Sequence, residues 1–282
     1  FKRNIKSFKQ TLELTKSIRK VIKDKKYPIL IDEEGGRVSR LSNIFNNSQY
    51  SQRYFGNLYE RRNPIAIKIF QNYIFSISSI LNKLGINVNT APVLDLLHKK
   101  KHLIVGDRSF SSNIKTINTL GKFSVEFFKK NKIGTVIKHI PGHGRSNVDS
   151  HYKLPIINET FQELKKTDFK CFRNIKSFFA MTAHILYKKI DKKNSTTHSK
   201  KIINDIIRKE IGFKGILISD DISMKALKNN IYDNATLSLQ AGCNLALYCS
   251  GKISESRKLM KIMPQIDQFT KKKTSEFYKF LR

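Results

Sequence analysis

Six short apolar runs, separated by longer amphipathic stretches, constrain the fold of this chain more than any other feature of its sequence. The runs predict strands at residues 27–31, 86–93, 134–138, 178–182, 214–219 and 244–249. The amphipathic stretches predict helices at residues 5–25, 65–84, 116–131, 160–175, 200–211, 232–241, 254–263 and 265–281. Strands of about five residues that alternate with helices indicate βα units and parallel pairing.

Ionisable residues follow these strands, always at the same end. Asp32, Asp95, Lys138, His184 and Asp220 each lie at or just beyond the end of an apolar run. The carboxyl ends of the strands carry the active site in a (β/α)8 barrel and also in a doubly wound open sheet. Neither GxGxxG nor GxxxxGK[ST] occurs, so a nucleotide-binding sheet has no phosphate loop to support it. The pattern therefore favours an α/β fold of the (β/α)8 TIM-barrel type.

The number of strands falls short of a closed barrel. Six strands are predicted where a barrel needs eight, and the chain begins at Phe1 with a helical pattern. We therefore expect a barrel that lacks its first two strands. No composition shift and no linker rich in Pro, Gly or Ser divides the chain, so residues 1–282 are predicted to form one N-terminally incomplete catalytic domain.

The net charge suggests a different class of function. The chain has 54 Lys+Arg against 22 Asp+Glu, which gives 54 − 22 = +32, and such an excess is typical of proteins that bind nucleic acids. However, the lysines are spread along the chain, and only the clusters at 99–101 and 271–273 stand out. A scattered basic surface is the favoured interpretation, with no specific nucleic acid as a partner. A basic nucleic-acid-binding protein is the alternative from another class.

Membrane and redox signals are both weak. No run of 18 or more uncharged apolar residues occurs, so no membrane partner is expected. The three cysteines, Cys171, Cys243 and Cys249, are an odd number without a CxxC spacing. They predict a reduced cytoplasmic protein whose thiols behave as small hydrophobic groups.

The segment from Lys138 to His151 is the richest in ionisable groups, and it allows three interpretations. A metal site would use His139, His143, Asp149 and His151. The spacing of His139 and His143 supports this only weakly, because Pro141 and two glycines exclude a regular helix there. The second interpretation is a loop whose histidines bond to backbone groups, which we favour for His143. The third is a general acid/base formed by Asp149 and His151.

The acid/base interpretation follows from ordinary pKa values. A carboxylate beside an imidazole fixes its tautomer and favours its protonated form. Histidine titrates near neutrality, whereas a carboxylic acid needs a pKa raised by roughly two units to donate a proton there. Asp220 and Asp221, which follow the apolar run at 214–219, supply a second carboxylate. Since side chains alternate along a strand, one should face the site, while the other caps a helix that starts near Ser223.

Seven segments then occur in the order known from one enzyme family. They are IDEEGGRVSR (31–40), NTAPVLDL (89–96), GDRSFS (106–111), KHIPGHG (138–144), DSH (149–151), MTAHILY (181–187) and SDDISM (219–224). The chain resembles the cytoplasmic β-N-acetylglucosaminidases (β-N-acetylhexosaminidases) of glycoside hydrolase family 3, which act in bacterial peptidoglycan recycling. The most specific feature is KH-x-PGHG followed by D-x-H. Two positions depart from the family pattern: Glu33 stands where Gln is common, and Ile140 where Phe is usual.

The resemblance implies a single barrel domain that removes terminal β-linked N-acetylglucosamine from muropeptides and anhydromuropeptides. It implies that Asp220 is the nucleophile, that His151 is the acid/base and that Asp149 is its partner. It places five residues at sugar-binding positions: Asp32, Arg40, Arg108, Lys138 and His139. Arg37 is expected to be structural. The implied reaction proceeds with retention and needs no metal and no cofactor, and a monomer is expected. A phosphorylase that uses inorganic phosphate is the close alternative.

Overall fold

A parallel sheet forms the centre of the structure, a computed structural model that describes residues 2–98, 104–146, 148–150 and 152–282. The strands in chain order are β1 (Leu30–Ile31), β2 (Val88–Asn89), β3 (Gly134–Ile140), β4 (Ile156–Ile157), β5 (Phe179–Thr182), β6 (Leu186–Tyr187), β7 (Ile216–Asp221) and β8 (Leu245–Leu247). Six of them form one sheet in the order β1-β2-β3-β5-β7-β8, and every pairing is parallel. The remaining two, β4 and β6, form a separate parallel pair.

Helices lie between and around these strands. They are α1 (Phe8–Ile22), α2 (Gln52–Glu60), α3 (Ala66–Lys83), α4 (Ile114–Lys130), α5 (Phe161–Lys166), α6 (Ile231–Ala241), α7 (Ile253–Ile262) and α8 (Gln268–Phe280), with a π-helix at Ile202–Glu210. Short 3₁₀ helices lie at Lys2–Asn4, Gly106–Arg108, Asp168–Phe172 and Thr196–His198. Among the helices described, none is long and apolar enough to cross a membrane.

The two faces of the sheet pack against different partners. Ile137 and Leu217 belong to the large core that the sheet forms with the surrounding helices. Val136 and Ile216, one residue earlier on the same strands, belong to a smaller cluster that contains Phe277 of α8. Because side chains alternate along a strand, this second face, which we call the cavity face, also carries Lys138 of β3 and Ile218 and Asp220 of β7. The pairing of β3 with β5 is irregular between Ile137 and Ile140, and Ile140 belongs to the large core.

All six strands predicted from the apolar runs are present, although most are shorter than predicted. The prediction missed β4 and β6, which pair over only two residues each, and it missed α2. The helix predicted at 160–175 is wrong in its second half, because α5 ends at Lys166 and a 3₁₀ helix follows. There, Asp168 is buried and accepts a hydrogen bond from Arg145. The helix predicted at 200–211 has π rather than α geometry.

The sheet is open over the part of the chain that the structure describes. There, β1 pairs only with β2, and β8 pairs only with β7. This architecture confirms the predicted α/β class with a parallel sheet, curved as a half-barrel. The finer prediction, a (β/α)8 barrel without its first two strands, stays a prediction.

Candidate active site

A cavity of about 330 Å³ opens at the carboxyl ends of the strands. Volumes of this order are typical of small-ligand sites. Seven of the eight residues proposed from the sequence line it: Asp32, Arg40, Arg108, Lys138, His139, Asp149 and Asp220. The eighth, His151, lies outside the described residues. The strand ends thus bring together side chains that are far apart in the sequence.

Asp32, directly after β1, binds two cations. Its Oδ1 accepts hydrogen bonds from Lys138 Nζ at 2.5 Å and from Thr90 Oγ1 at 2.7 Å, and its Oδ2 contacts an Arg40 nitrogen at 2.5 Å. Burial opposes ionisation, but the charges of Lys138 and Arg40 outweigh it, so the pKa of Asp32 lies well below its usual range. The side chain is still 29% exposed. Asp32 therefore offers an ionised carboxylate to a ligand.

Glu34, which sequence reasoning did not propose as a site residue, is buried between two cations. Its carboxylate binds Arg108 in a bidentate pair at 2.7 and 2.8 Å and lies 2.6 Å from Lys138 Nζ. Burial opposes ionisation of Glu34, but the charges of Arg108 and Lys138 lower its pKa overall. Lys138 Nζ also lies 3.3 Å from Thr90 Oγ1, so its three protons have partners in Asp32, Glu34 and Thr90.

Asp220 and Asp221 at the end of β7 differ in their surroundings. Asp220 shares the cavity face with Ile216 and Ile218, and one of its oxygens accepts from the Asp221 backbone N–H at 2.8 Å. The Asp221 carboxylate instead accepts from the backbone N–H groups of Ser223 and Cys249. The helix predicted near Ser223 is therefore wrong. Asp221 closes a turn there, and the next helix, α6, begins at Ile231.

His184, which follows β5, supports the end of β7. Its Nε2 lies 3.0 Å from the carbonyl oxygen of Asp221, and its Nδ1 lies 2.7 Å from Thr197 Oγ1. Burial lowers the pKa of His184 despite the nearby Asp220 charge. A neutral ring that donates from Nε2 and accepts at Nδ1 satisfies both contacts. For Asp220 itself, burial opposes ionisation, but the neighbouring imidazoles, the hydrogen bond from the Asp221 backbone N–H and the charge of Lys138 lower the pKa overall.

Asp95 organises the loop that follows β3. It is fully buried, and its Oδ2 lies 2.7 Å from His139 Nδ1. Its Oδ1 accepts the backbone N–H of His143 at 2.6 Å and that of His139 at 3.3 Å. Burial opposes ionisation of Asp95, but the contacts with His139 and His143 lower its pKa overall. The predicted bonds from the loop histidine rings to backbone groups are not found among the described residues: the His139 ring contacts Asp95, and the His143 ring contacts Ser150 Oγ while its Nδ1 has no partner there.

The metal interpretation has no support in the described part of the chain. No group of three or more His, Cys, Asp or Glu side chains there is arranged to bind a metal ion. His139 directs its Nδ1 to Asp95, and burial lowers the pKa of His143 to about 4. The His143 ring lies 3.3 Å from Ser150 Oγ, beside Asp149.

The loop with Asp149 is fixed at its base. Arg145 lies 2.7 Å from Asp168 and 2.9 Å from Glu159, which connects the start of the loop to the segments around α5. Near the end of the loop, the Ser150 carbonyl accepts the backbone N–H of Ala226 at 3.1 Å. Because His151 lies outside the described residues, its pairing with Asp149 stays a prediction.

Two further residues near the site have structural contacts. Arg37 lies 2.6 Å from Asp107 and donates to the Ile104 carbonyl, which fixes the segment that precedes Arg108. Glu33 is buried and accepts hydrogen bonds from the Asn47 side chain and from four other donors: Gly35 N, Ser39 Oγ, Arg40 N and Leu41 N. Burial nevertheless raises its pKa.

The fold and the site define a class of protein. A parallel sheet whose carboxyl edge bears fixed carboxylates and cations around a small cavity is an α/β enzyme suited to a ligand rich in hydroxyl groups. Comparison with known proteins then gives the family. Residues 1–274 match the model described as the glycosyl hydrolase family 3 N terminal domain. The chain belongs to glycosyl hydrolase family 3.

Curated relatives agree with this assignment. A β-hexosaminidase of Nitrosomonas eutropha is 32% identical over 255 residues, which cover 89% of this chain and 72% of the relative. A β-hexosaminidase of Haemophilus influenzae is 31% identical over 256 residues, which cover 89% of this chain and 71% of the relative. The predicted family is confirmed, and with it the class of glycoside hydrolase.

Solved structures show the same fold. NagZ from Neisseria gonorrhoeae in complex with N-trifluoroacetyl-D-glucosamine aligns with a TM-score of 0.87 and 25% identity, over 100% of this chain and 81% of that one. A glycoside hydrolase family 3 β-N-acetylglucosaminidase from Paenibacillus aligns with a TM-score of 0.84 and 25% identity, over 99% of this chain and 55% of that one.

Proposed function

We propose that this protein is a retaining exo-β-N-acetylglucosaminidase with Asp220 as its nucleophile. The observation that carries the proposal is the position of Asp220 on the wall of one cavity with Asp32, Arg40 and Arg108, in a chain of glycosyl hydrolase family 3. The lowered pKa of Asp220, which burial opposes but neighbouring imidazoles, a backbone N–H and Lys138 produce, favours the ionised form that a nucleophile needs. The names of the curated relatives support the N-acetylhexosamine substrate.

The proposed reaction has two displacements. In the first, an Asp220 oxygen bonds to the anomeric carbon while the glycosidic bond breaks, and His151 gives its proton to the leaving oxygen. In the second, neutral His151 takes a proton from water as the water oxygen attacks the anomeric carbon and releases Asp220. Asp149 pairs with His151 and stabilises its protonated form. Two inversions at the anomeric carbon give net retention.

The proposed sugar contacts follow the exposure of each group. Asp32 accepts from hydroxyl groups, and Arg40 donates to them, since its side chain lines the cavity and is 28% exposed. Arg108 and His139 line the same cavity and contact the sugar beside them. Lys138 already shares its three protons with Asp32, Glu34 and Thr90, so a sugar hydroxyl at Lys138 replaces one of these partners.

The proposed natural substrates are muropeptides and anhydromuropeptides that end in β-linked N-acetylglucosamine. A relative of the same fold is named as binding an N-acylated glucosamine, N-trifluoroacetyl-D-glucosamine. The muramyl and peptide carboxylates of such substrates suit a protein of net charge +32.

Asp220→Asn is the decisive variant for this proposal. We expect it to release nitrophenol from a nitrophenyl β-N-acetylglucosaminide at least ~1000-fold more slowly than wild type, because the amide cannot form the glycosyl ester. Asp205→Asn is the matched control, since Asp205 pairs only with Lys209 on the exposed side of a helix. Full activity of Asp220→Asn would overturn the proposal.

Phosphorolysis is the alternative reaction, in which inorganic phosphate takes the place of water in the second displacement. An imidazole acid/base repels phosphate less than a carboxylate would, and the partly exposed Arg40 side chain on the cavity wall is a donor suited to an anion. Products formed in phosphate buffer decide between the two reactions: free N-acetylglucosamine indicates hydrolysis, and the sugar 1-phosphate indicates phosphorolysis.

We also propose that the sheet belongs to a single-domain (β/α)8 barrel that acts as a monomer in the cytoplasm. The sequential parallel order of the six strands supports the barrel. Cys171 and Cys243, which are buried free thiols, support a reducing location. Light scattering coupled to size-exclusion chromatography tests the monomer, for which we expect a mass near 32.7 kDa for this chain.

A further inference from the structure

Asp95 contacts the active site without lining its cavity. The carboxylate is fully buried behind His139, which does line the cavity. One Asp95 oxygen accepts two backbone N–H groups, from His139 and His143, and the other lies 2.7 Å from His139 Nδ1. Asp95 thus fixes both the backbone of this loop and the ring of His139.

The contact determines where the His139 ring carries a proton. An ionised carboxylate only accepts hydrogen bonds, so the ring nitrogen that faces Asp95 must be the donor. This requires a proton on Nδ1 whether the ring as a whole is neutral or charged. The other nitrogen, Nε2, makes no hydrogen bond to any described residue. It also does not belong to the fully buried polar atoms that lack a partner among these residues. Nε2 is therefore the ring atom left for a ligand in the cavity.

We propose that Asp95 is a positioning residue for sugar binding. By keeping the proton of His139 on Nδ1, it presents the Nε2 lone pair of the neutral ring to the cavity, where this atom accepts a hydrogen bond from a sugar hydroxyl. The neighbouring Arg40 and Arg108 only donate, so the neutral form of His139 complements them as an acceptor. The ligand class in this inference, a pyranose with free hydroxyl groups, rests on the proposed function.

The tautomer is tested in the intact protein by two-bond ¹H–¹⁵N correlation spectra of histidine-labelled protein, with His139 assigned by comparison with His139→Gln. We expect His139 Nδ1 to be protonated at every pH between 5 and 9 in the wild type. Asp95→Asn, whose amide donates to Nδ1, should move the proton of the neutral ring to Nε2. A wild-type neutral ring with its proton on Nε2 overturns the proposal, and this result needs no folded Asp95 variant.

A double-mutant cycle separates positioning from general structural support. We expect Asp95→Asn and His139→Gln each to lower kcat/KM by about 10- to 100-fold, because each removes the acceptor at Nε2. If Asp95 acts through His139, the double variant is no slower than His139→Gln alone. Fully multiplicative losses, with the wild-type tautomer retained in Asp95→Asn, overturn the proposal.

The failure of this inference and that of the proposed function have different signatures. A wild-type protein without activity on the nitrophenyl glycoside contradicts the proposed function. In that case the cycle is measured on binding of N-acetylglucosamine by calorimetry instead of on kcat/KM. Absence of binding then overturns the inference as well, because its hydroxyl ligand would be wrong. A measurable affinity that Asp95→Asn lowers only when His139 is present supports it.

Discussion

Glu34 lies at the centre of the charge network, although it takes no part in the proposed reaction. It forms ion pairs with Arg108 and Lys138, both of which line the cavity. Charged groups that are buried together are stable only as a set, because each partner offsets the desolvation of the others. The cavity therefore depends on a residue that fixes the cations of its wall.

Removing the charge of Glu34 should destabilise the protein. We expect Glu34→Gln to lower the free energy of unfolding by about 3–5 kcal/mol, since Arg108 and Lys138 lose a buried counter-charge. Urea unfolding monitored by circular dichroism measures the change. Asp205→Asn, at the exposed pair with Lys209, should leave the midpoint unchanged. An unaltered midpoint for Glu34→Gln would mean that the network contributes little.

His143 should make stability depend on pH in the acidic range. Burial lowers its pKa from the usual 6.5 to about 4, so between these values the unfolded state binds more protons than the folded state. Stability therefore rises with pH from 4 to 6.5 and is lost on acidification, by roughly 3 kcal/mol from this residue alone. Burial also lowers the pKa of His184 and His198, so the comparison must be with His143→Gln. Urea unfolding at a series of pH values measures this. The free energy of unfolding of the variant should depend less steeply on pH than that of the wild type below pH 6.5, and equally above pH 7.

The sequence predicted most of the charged and histidine residues that line the cavity but not the residues behind them. Asp32, Lys138 and Asp220 were recognisable because an ionisable residue after an apolar strand is conspicuous. Glu34 and the role of Asp95 were not recognised, because their partners Arg108 and His139 lie 74 and 44 residues away in the sequence. Pairing between buried groups depends on distance in space, and no spacing along one chain records it.

At the scale of single elements, the loop after β3 connects the core to the predicted acid/base. Its start is fixed by Arg145, which contacts Asp168 and Glu159, and its end by the backbone bond between Ala226 and Ser150. A loop fixed at both ends limits the positions that Asp149 can take. The predicted helix at 160–175 failed here, because Asp168 turns inward to bind Arg145 instead of continuing α5 on the surface.

Loosening this loop should affect substrates unequally. We expect Arg145→Gln to lower kcat/KM about tenfold for an alkyl β-N-acetylglucosaminide, whose leaving group needs a proton from His151. A nitrophenyl glycoside should be affected far less, because nitrophenolate leaves without protonation. His151→Ala should show the same contrast more strongly. A series of leaving groups of graded pKa measures it, and equal losses for all substrates would contradict the role of the loop.

Strands and helices differed in how well the sequence revealed them. Strands β3, β5 and β7 were predictable because both faces of a parallel strand are covered, which produces a continuous apolar run. The β4–β6 pair joins two loops through Ile156–Leu186 and Ile157–Tyr187, and two residues are too few to show a pattern. The π geometry of Ile202–Glu210 was likewise hidden, because its buried face has the same spacing as that of an α-helix.

At the scale of the whole molecule, the excess charge lies mainly outside the site. The cavity cations Arg40, Arg108 and Lys138 are paired with Asp32 and Glu34, so the network nearly balances itself. The net charge of +32 therefore acts at a distance, on the rate at which charged molecules approach.

Ionic strength should separate these effects. We expect kcat/KM for a carboxylate-bearing substrate to fall several-fold between about 20 and 200 mM salt, because screening weakens long-range attraction. A neutral nitrophenyl glycoside should respond little. Equal responses would mean that the charge has no part in substrate association. Tight, salt-sensitive binding of unrelated DNA would instead favour the nucleic-acid alternative.

The position of Phe277 has a consequence for the shape of acceptable substrates. The ring packs among the apolar side chains of the cavity face, and Met181 belongs both to that cluster and to the cavity wall. Over the described part of the chain, an apolar side chain of the cavity face thus forms part of the cavity wall. If only the end of a glycan enters this cavity, as the proposed exo-activity requires, the released sugar leaves by the route through which it entered.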